Sequence, residues 1–232
     1  MDISVVIPAF NEEKIIKNTI AEVKDFLKNN FSSFEIIVVD DKSKDSTLKI
    51  VQAISGISVL GNSKNHGKGY SVVKGVKAAQ GDLILFMDAD NSTRINELQN
   101  FLSQTKDYPI LIASRALPDS DIKIKQNVIK DYFGKFGNAI IRFVLLLRIH
   151  DTQCGFKLFS KETKHLFNKI TINGFAFDFE LLFLAKKYKF RVKEMPVTWL
   201  NNFDSAVKWY DYPNTLLQVF KVRFNNLIGK YN

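Results

Sequence analysis

The chain has one cysteine, Cys154, among its 232 residues, which excludes an intramolecular disulfide and favours a reducing compartment. It also lacks a long hydrophobic run. The longest unbroken apolar run in its second half is Phe143–Leu147, whereas a membrane-spanning helix needs roughly 20 residues. No basic segment precedes an apolar stretch at the N-terminus, so a secretory signal peptide is not expected. These absences predict a globular protein without a spanning helix.

Two nucleotide-binding motifs are also missing. The first apolar run, Ile3–Ile7, is not followed by a GxGxxG fingerprint, and no glycine-rich loop ends in Lys followed by Ser or Thr. The segment Asn65–Gly69 does contain two glycines around a lysine and opens a helical pattern, so it offers positive potential to phosphate oxygens. The missing motifs disfavour a Rossmann dehydrogenase and a P-loop NTPase.

What the chain does have is an uneven charge. Residues 1–122 carry a net charge of −2 and residues 123–232 carry +11, which together give +9. Such asymmetry favours a C-terminal half that faces an anionic partner, either nucleic acid or an acidic membrane surface. An ordinary solvated basic surface is the simpler alternative.

Apolar runs of strand length alternate with helically spaced apolar residues over the first 115 residues. The predicted strands are Ile3–Ile7, Glu35–Val39, Ile57–Leu60, Leu83–Met87 and Pro109–Ser114. Uninterrupted apolar strands separated by helices predict an α/β fold, with a mostly parallel sheet covered by helices on both faces.

The second half contains two basic amphipathic segments. One covers residues from about 125 to 148 and the other covers 215–231, and in both the apolar residues follow helical spacing with Lys and Arg between them. Each segment fits a helix that lies on a membrane surface. The first fits equally well a helix that packs on its own sheet.

Polar residues follow each predicted strand, and the pair Asp88 and Asp90 is the most informative. These two carboxylates end the buried strand Leu83–Met87, and in an open α/β sheet ligands bind where the strands end. Carboxylates are costly there unless a cation pairs with them, and Mg²⁺ or Mn²⁺ commonly bridges carboxylates to substrate phosphates. The sequence therefore predicts a metal-assisted phosphate or nucleotide site.

Six collinear segments, taken together, resemble the inverting glycosyltransferases of family 2, which have a GT-A fold. The segments are VVIPAFNEE (Val5–Glu13), VVDDKSKDST (Val38–Thr47), NHGKGYSVVKGVKAAQGDLILFMDAD (Asn65–Asp90), ASR (Ala113–Arg115), DTQCGFKLFS (Asp151–Ser160) and FAFDFELLFLAKK (Phe175–Lys187). The last two narrow the resemblance to the dolichyl-phosphate glucosyltransferases, close to the dolichyl-phosphate mannose synthases. The chain departs in lacking a spanning helix, and in having Asn91 where the glucosyl branch often has glycine.

The resemblance implies roles for individual residues. The nucleotide-sugar donor would be bound by Pro8, Asn11, Glu12, Asp40, Lys68 and Asp88; the metal by Asp88, Asp90 and Asn91; the acceptor or transferred sugar by Arg115, Asp151, Gln153 and Lys157; and catalysis would involve Asp90, Arg115, Asp178 and Glu180. Asp178 could instead cap the helix that follows it, and Glu180 could form a helix-surface ion pair.

The implied protein has a catalytic domain over residues 1–204, divided into a nucleotide-sugar half (1–115) and an acceptor half (116–204). A basic amphipathic tail (205–232) follows it. The implied reaction moves a sugar, glucose from UDP-glucose, onto dolichyl or polyprenyl phosphate with inversion. It would need Mg²⁺ or Mn²⁺ and take place at an anionic membrane, with the protein peripheral on the cytoplasmic face and no nucleic-acid partner.

Other donors and other classes of protein stay open at this point. GDP-mannose and UDP-N-acetylglucosamine are alternative donors, because the motifs separate sugars only by resemblance. A sugar nucleotidyltransferase would share a carboxylate site at a strand end, but a glycine-rich loop is expected after its first strand, where Pro8–Glu12 stands here. A nucleic-acid-binding module would use the basic half, yet the paired acids would repel phosphate without a metal.

Overall fold

The strands form where the sequence places buried apolar residues, and the helices lie between them. The computed structural model describes residues 1–123, 128–200 and 211–232. The strands are β1 (Ile3–Ala9), β2 (Phe34–Asp40), β3 (Ser58–Gly61), β4 (Leu83–Met87), β5 (Ile110–Ser114), β6 (Asp121–Ile122), β7 (Phe156–Ser160), β8 (Val192–Pro196) and β9 (Thr198–Trp199). The α-helices are α1 (Ile16–Asn30), α2 (Thr47–Gln52), α3 (Lys68–Ala78), α4 (Leu98–Leu102), α5 (Val128–Leu145), α6 (Phe177–Lys187) and α7 (Asp211–Leu227), and 3-10 turns cover Ile95–Glu97 and Lys161–Lys169.

The central sheet has the strand order β3-β2-β1-β4-β7-β5-β8. Within the described residues its pairings are parallel except the two that β7 makes with β4 and β5. The predicted mostly parallel sheet is confirmed. The sequence did not predict β7, because Lys157 interrupts its apolar residues and conceals a strand that is buried on both faces.

Helices cover both faces of this sheet, as predicted. Successive residues of β1 point to opposite faces: Val5 and Ile7 belong to the core beneath α1 and α4, whereas Val6 belongs to the core beneath α3 and α6. Such two-sided burial is what produces the near-continuous apolar runs seen in the sequence.

Helices α5 and α7 pack against each other beside the α6 face. Ile141 and Leu145 of α5 and Val219 and Val222 of α7 are buried in that core. Among the described residues, no helix has both the length and the hydrophobicity that crossing a bilayer requires. Lys125, at the predicted start of the first amphipathic segment, and the predicted domain boundary at 204 lie outside the described residues.

Candidate active site

The topology brings the predicted donor and acceptor residues to one edge of the sheet. Strands β1, β2 and β4 are parallel, so their carboxyl ends meet at the same edge. Strand β7 runs the opposite way and pairs Phe156 with Met87, so the segment just before β7 also lies at this edge. That segment carries Asp151, Gln153 and Gly155.

Lys68 is the first residue of α3, and its ammonium group lies at the predicted metal motif. Its Nζ is 2.6 Å from Oδ1 of Asp88. Burial alone would lower the pKa of Lys68, but the carboxylates of Asp88 and Asp178 raise it, so the group is charged at neutral pH. Gly67 precedes it with φ of 101°, a conformation that suits glycine.

Asp90 carries an unfavourable negative charge. Its Oδ1 accepts a hydrogen bond from the backbone N–H of Ser92 at 2.9 Å. Burial, and then the nearby charge of Asp88, raise the pKa of Asp90 above its ordinary value. A cation bound between the two carboxylates would relieve this repulsion.

The donor set at this point fits Mg²⁺ or Mn²⁺. Within the described part of the chain, no cluster of three or more His, Cys, Asp or Glu residues could hold a metal. A cation held by Asp88 and Asp90 would therefore need its remaining ligands from substrate phosphates and water, an arrangement that is common for Mg²⁺. Asn91 stays a candidate because its Oδ1 is buried without a hydrogen-bond partner, while its Nδ2 donates to Glu22.

Asp40 ends β2 with one carboxylate oxygen unsatisfied. The residue is 1% exposed; its Oδ2 accepts from the backbone N–H of Ser43, whereas its Oδ1 is buried and has no partner. A buried acceptor without a donor costs about 1–3 kcal/mol, so a ligand N–H at this position would be stabilising. Such a group fits the predicted nucleoside pocket.

The other residues predicted to bind the donor shape the loops beside Asp40. Pro8 is half-buried within β1. The side-chain carbonyl of Asn11 accepts from the N–H of Lys44, and the N–H of Glu12 donates to Oγ1 of Thr47. These bonds join the loop after β1 to the loop after β2.

Asp41, the second of the two acids at the end of β2, organises the loop that leads to Lys68. Its carboxylate accepts from the backbone N–H groups of His66 and Gly67 and from Nδ2 of Asn62. The two neighbouring aspartates therefore differ. Asp40 has a carboxylate oxygen without a hydrogen-bond partner, whereas both carboxylate oxygens of Asp41 accept hydrogen bonds.

Arg115, which follows β5, is held by Asp151 in a bidentate ion pair. Nε and Nη2 of Arg115 lie 2.7 and 2.9 Å from the two oxygens of Asp151, and its backbone N–H donates to the same carboxylate. Burial would raise the pKa of Asp151, but the Arg115 guanidinium holds that pKa below its ordinary value. The guanidinium also lies 5.3 Å from the ring of Trp199.

Glu194 on β8 supports this pair and was missed by the sequence analysis. Its carboxylate accepts from the backbone N–H groups of His150 and Asp151, which fixes the segment that carries Asp151. No sequence signal points to it, because a single acid in a short strand is also typical of a solvated face. Gln153 lies next to this pair, with its N–H 3.3 Å from Oδ1 of Asp151.

Lys157 and Asp178 form a buried ion pair. Lys157 is 0% exposed; its Nζ contacts Oδ1 of Asp178 and donates to the carbonyl of Cys154. Asp178 lies inside the first turn of α6, whose N-cap is Ala176, so it is not the cap. Burial raises the pKa of Asp178 despite the opposing charges of Lys157 and Lys68. A catalytic role for Asp178 stays a prediction.

Glu180 lies on the next part of α6 and its carboxylate makes structural contacts. It accepts from the backbone N–H groups of Thr171 and Ile172 and from the hydroxyl of Tyr231. It is fully buried and not a member of a surface pair. A catalytic role for Glu180 stays a prediction, and its contacts favour a role in positioning Tyr231, which follows α7, against the loop before α6.

Gly155 is a second residue that the sequence analysis missed. Its carbonyl accepts from the N–H of Asp88, and a Cβ added to it would lie 1.8 Å from Oδ2 of Asp88. Only glycine leaves room for the Asp88 carboxylate. The neighbouring Cys154 is buried, which raises the pKa of its thiol to about 12 and excludes a thiolate nucleophile at neutral pH.

Known proteins resemble this chain over most of its length. The model of glycosyl transferase family 2 matches residues 4–167. A dolichyl-phosphate beta-glucosyltransferase of Dictyostelium discoideum is 31% identical over 98% of the chain and 75% of its own length. Another from Trichomonas vaginalis is 34% identical over 85% of the chain and 65% of its own length, so the chain spans just under two thirds of that relative.

Solved structures show the same fold. One is glucosyl-3-phosphoglycerate synthase from Mycobacterium tuberculosis, crystallised with Mn²⁺, UDP and glucosyl-3-phosphoglycerate. It superposes with a TM-score of 0.70 at 17% sequence identity, and the superposition covers 97% of this chain and 79% of the synthase. The family match extends over most of the chain, and it includes the metal motif and the loop before β7. The chain therefore belongs to glycosyl transferase family 2 and is a glycosyltransferase.

Proposed function

We propose that the protein transfers glucose from UDP-glucose to dolichyl or another polyprenyl phosphate, with inversion, at the cytoplasmic face of a membrane. The single observation that carries the proposal is the meeting of Lys68, Asp88 and Asp90 with the Arg115–Asp151 pair at one sheet edge. The first group suits a nucleotide diphosphate and the second suits a phosphate acceptor. The likeness to dolichyl-phosphate beta-glucosyltransferases supports the choice of sugar and lipid.

The donor would lie across the carboxyl ends of β1, β2 and β4. Oδ1 of Asp40 would accept from the base, and Lys68 would contact the diphosphate. Asp88 and Asp90 would hold the divalent cation, which when bound neutralises charge on the leaving diphosphate.

The acceptor phosphate would lie on the Arg115 side. Arg115 uses Nε and Nη2 on Asp151, and its side chain remains 33% exposed, so it can also contact a phosphate oxygen. Because Asp151 and Trp199 fix the guanidinium, little of its conformational entropy is lost when the acceptor binds.

The chemical step needs little help from a general base. A phosphate monoester has a second pKa of about 6, so its oxygen is already a dianionic nucleophile at neutral pH. That oxygen forms a bond to the anomeric carbon while the bond from this carbon to the diphosphate breaks. UDP leaves on the opposite side, which inverts the anomeric centre and gives a phosphodiester.

The surface of α7 supports membrane binding. Five large apolar side chains are 53–82% exposed and share one face of α7 and the turn after it: Leu217, Phe220, Phe224, Leu227 and Ile228. The basic residues Lys221 and Lys230 flank this row. An apolar face beside basic residues fits an anionic bilayer surface, where each well-placed cation adds about 1 kcal/mol.

A donor panel tests the proposal. The enzyme is mixed with polyprenyl phosphate in anionic vesicles, Mn²⁺ or Mg²⁺ and one of UDP-glucose, GDP-mannose or UDP-N-acetylglucosamine, and release of UDP or GDP is followed. We expect UDP-glucose to be used at least about tenfold faster than the other donors, a modest difference in transition-state binding. Faster turnover of GDP-mannose would replace glucose by mannose in the proposal.

Vesicle sedimentation tests the membrane component separately. The double variant Phe220→Ser/Phe224→Ser is expected to lose most binding to anionic vesicles, since about 2 kcal/mol per buried aromatic side chain is removed. The matched control is Phe10→Ser, a substitution of another exposed phenylalanine outside α7. Equal sedimentation of the double variant and the control would contradict docking through α7.

A further inference from the structure

The ion pair of Lys68 and Asp88 lies at the predicted position of the divalent cation. The two side chains are 17% and 31% exposed, and their charged atoms are 2.6 Å apart. The rings of Phe86 and Phe175 lie 5.3 and 5.9 Å from Nζ and hold the ammonium group in this position. The pair is therefore a built feature of the cleft and not a loose surface contact.

One oxygen of Asp88 lies against Gly155 and the other contacts Lys68. Its Oδ2 fills the space in which a side chain at Gly155 would lie. Its Oδ1 is the oxygen that Lys68 contacts. A metal ion that binds directly to Oδ1 would lie beside the ammonium group, and the two cations would repel each other.

The charge balance of the cleft opposes a metal ion that arrives alone. The lysines Lys68 and Lys157 face the carboxylates of Asp88, Asp90 and Asp178, which leaves one excess negative charge. A divalent cation by itself would turn this into one excess positive charge. A divalent cation that enters with a doubly charged diphosphate leaves the balance unchanged, and uncompensated charge in a buried cleft is costly.

We propose that Lys68 holds the position of the divalent cation at Asp88 until the donor arrives, so that the cation and the nucleotide diphosphate bind as one unit. The inference rests on the proposed function, which supplies the diphosphate. A diphosphate oxygen gives Lys68 a second anionic partner, and its move toward that oxygen frees Oδ1 of Asp88 for the metal. Lys68 is thus a positioning residue that links the metal site to the donor.

Direct titration of Mn²⁺, followed by electron paramagnetic resonance of the free ion, tests this link without turnover. Mn²⁺ affinity is measured with and without UDP for the wild type, Lys68→Met, Lys68→Arg and Lys77→Met. Lys77 is an exposed lysine in the last turn of the same helix, so its substitution makes the same change of charge and length away from Asp88. Lys68→Arg keeps a cation beside Asp88.

In the wild type and in Lys77→Met, UDP is expected to raise Mn²⁺ affinity by at least about tenfold, or about 1.4 kcal/mol. Lys68→Met is expected to bind Mn²⁺ alone about tenfold more tightly than the wild type and to lose most of the effect of UDP. Lys68→Arg is expected to behave like the wild type, which also guards against a folding defect in Lys68→Met.

Two results would overturn the inference, and they differ in what they say about the donor site. If Lys68→Met binds Mn²⁺ no more tightly than the wild type, while both bind it with UDP, the proposed function stands and the role of Lys68 is wrong. If the wild type binds neither Mn²⁺ with UDP nor UDP with Mn²⁺, the proposed donor site itself fails and the inference fails with it.

Discussion

The two sides of the active site use their charges differently. The donor side, which comprises Asp40, Lys68, Asp88 and Asp90, has one ion pair, a buried carboxylate oxygen without a partner, and an aspartate whose pKa is raised by burial and by a neighbouring acid. The acceptor side, which comprises Arg115, Asp151, Lys157 and Asp178, consists of two ion pairs that are largely or fully buried.

This difference predicts that the donor side mainly binds the substrate, whereas the acceptor side also stabilises the fold. Carboxylates that repel each other destabilise the protein until a ligand arrives, so substitutions on the donor side should cost activity and little stability. Ion pairs that satisfy each other hold the loops in place, so substitutions on the acceptor side should cost stability as well.

The largest effect is expected for Asp90→Ala on the donor side. Loss of the second carboxylate should reduce kcat/KM by about a thousandfold, a typical cost of removing a group that stabilises transition-state charge. The unfolding midpoint should stay level or rise, because a buried carboxylate with a raised pKa is removed. The control, Asp82→Ala, removes a 71% exposed acid. Full activity in Asp90→Ala would contradict the metal assignment.

Lys157→Met should be the most destabilising substitution on the acceptor side. Asp178 would be left buried without the cation that contacts it, which typically costs about 3–5 kcal/mol in the free energy of unfolding. Urea unfolding measures this loss. The double variant Lys157→Met/Asp178→Asn should recover part of it, because the unpaired charge is gone. If the double variant is as unstable as the single one, the pair does not act as a unit.

Gly155→Ala tests the contact between the two sides. The added methyl group should displace the Asp88 carboxylate and reduce kcat/KM by about a hundredfold, since small misplacements of a positioning group have costs of this size. Gly174→Ala is the matched control, because a Cβ at that glycine meets no atom within 4 Å. Equal activity of the two variants would show that Asp88 does not depend on Gly155.

Asp151→Asn should have the smallest effect, and that effect should depend on pH. Asp151 has a lowered pKa in the folded protein, so its ion pair stabilises the protein above the unfolded value of 3.8, and this contribution is lost as the pH falls through the lower folded value. We expect a loss of about 2 kcal/mol at pH 7 and less at pH 3. The control is Asp121→Asn in an exposed pair. A loss that is the same at both pH values would contradict the charge argument.

The donor side could be predicted from the sequence because its signals are local. Asp40 and Asp88 each follow a run of apolar residues, and strand ends in parallel sheets share one edge, so their meeting required no knowledge of distant contacts. The acceptor side depends on ion pairs and hydrogen bonds between residues that are far apart in the sequence. Lys157 meets an aspartate 21 residues away, and Glu194 supports a backbone 43 residues away.

The sequence predicts that the amphipathic segments are helices, but it does not predict which of their apolar residues are buried. Helical spacing gives the period of apolar residues and does not say which of them a neighbouring helix covers. In α7, Val219 and Val222 are buried while Phe220 and Phe224 are exposed. The packing of α7 against α5 and α6 separates these two sets.

The anomeric configuration of the lipid-linked product tests the central claim most directly. The wild type is incubated with UDP-glucose, Mn²⁺ and polyprenyl phosphate in vesicles, and the sugar phosphate is examined by NMR. The account predicts a β-linked glucosyl phosphate on the lipid and UDP release that depends on the lipid. An α-linked product, or release of free glucose at the same rate without lipid, would contradict it.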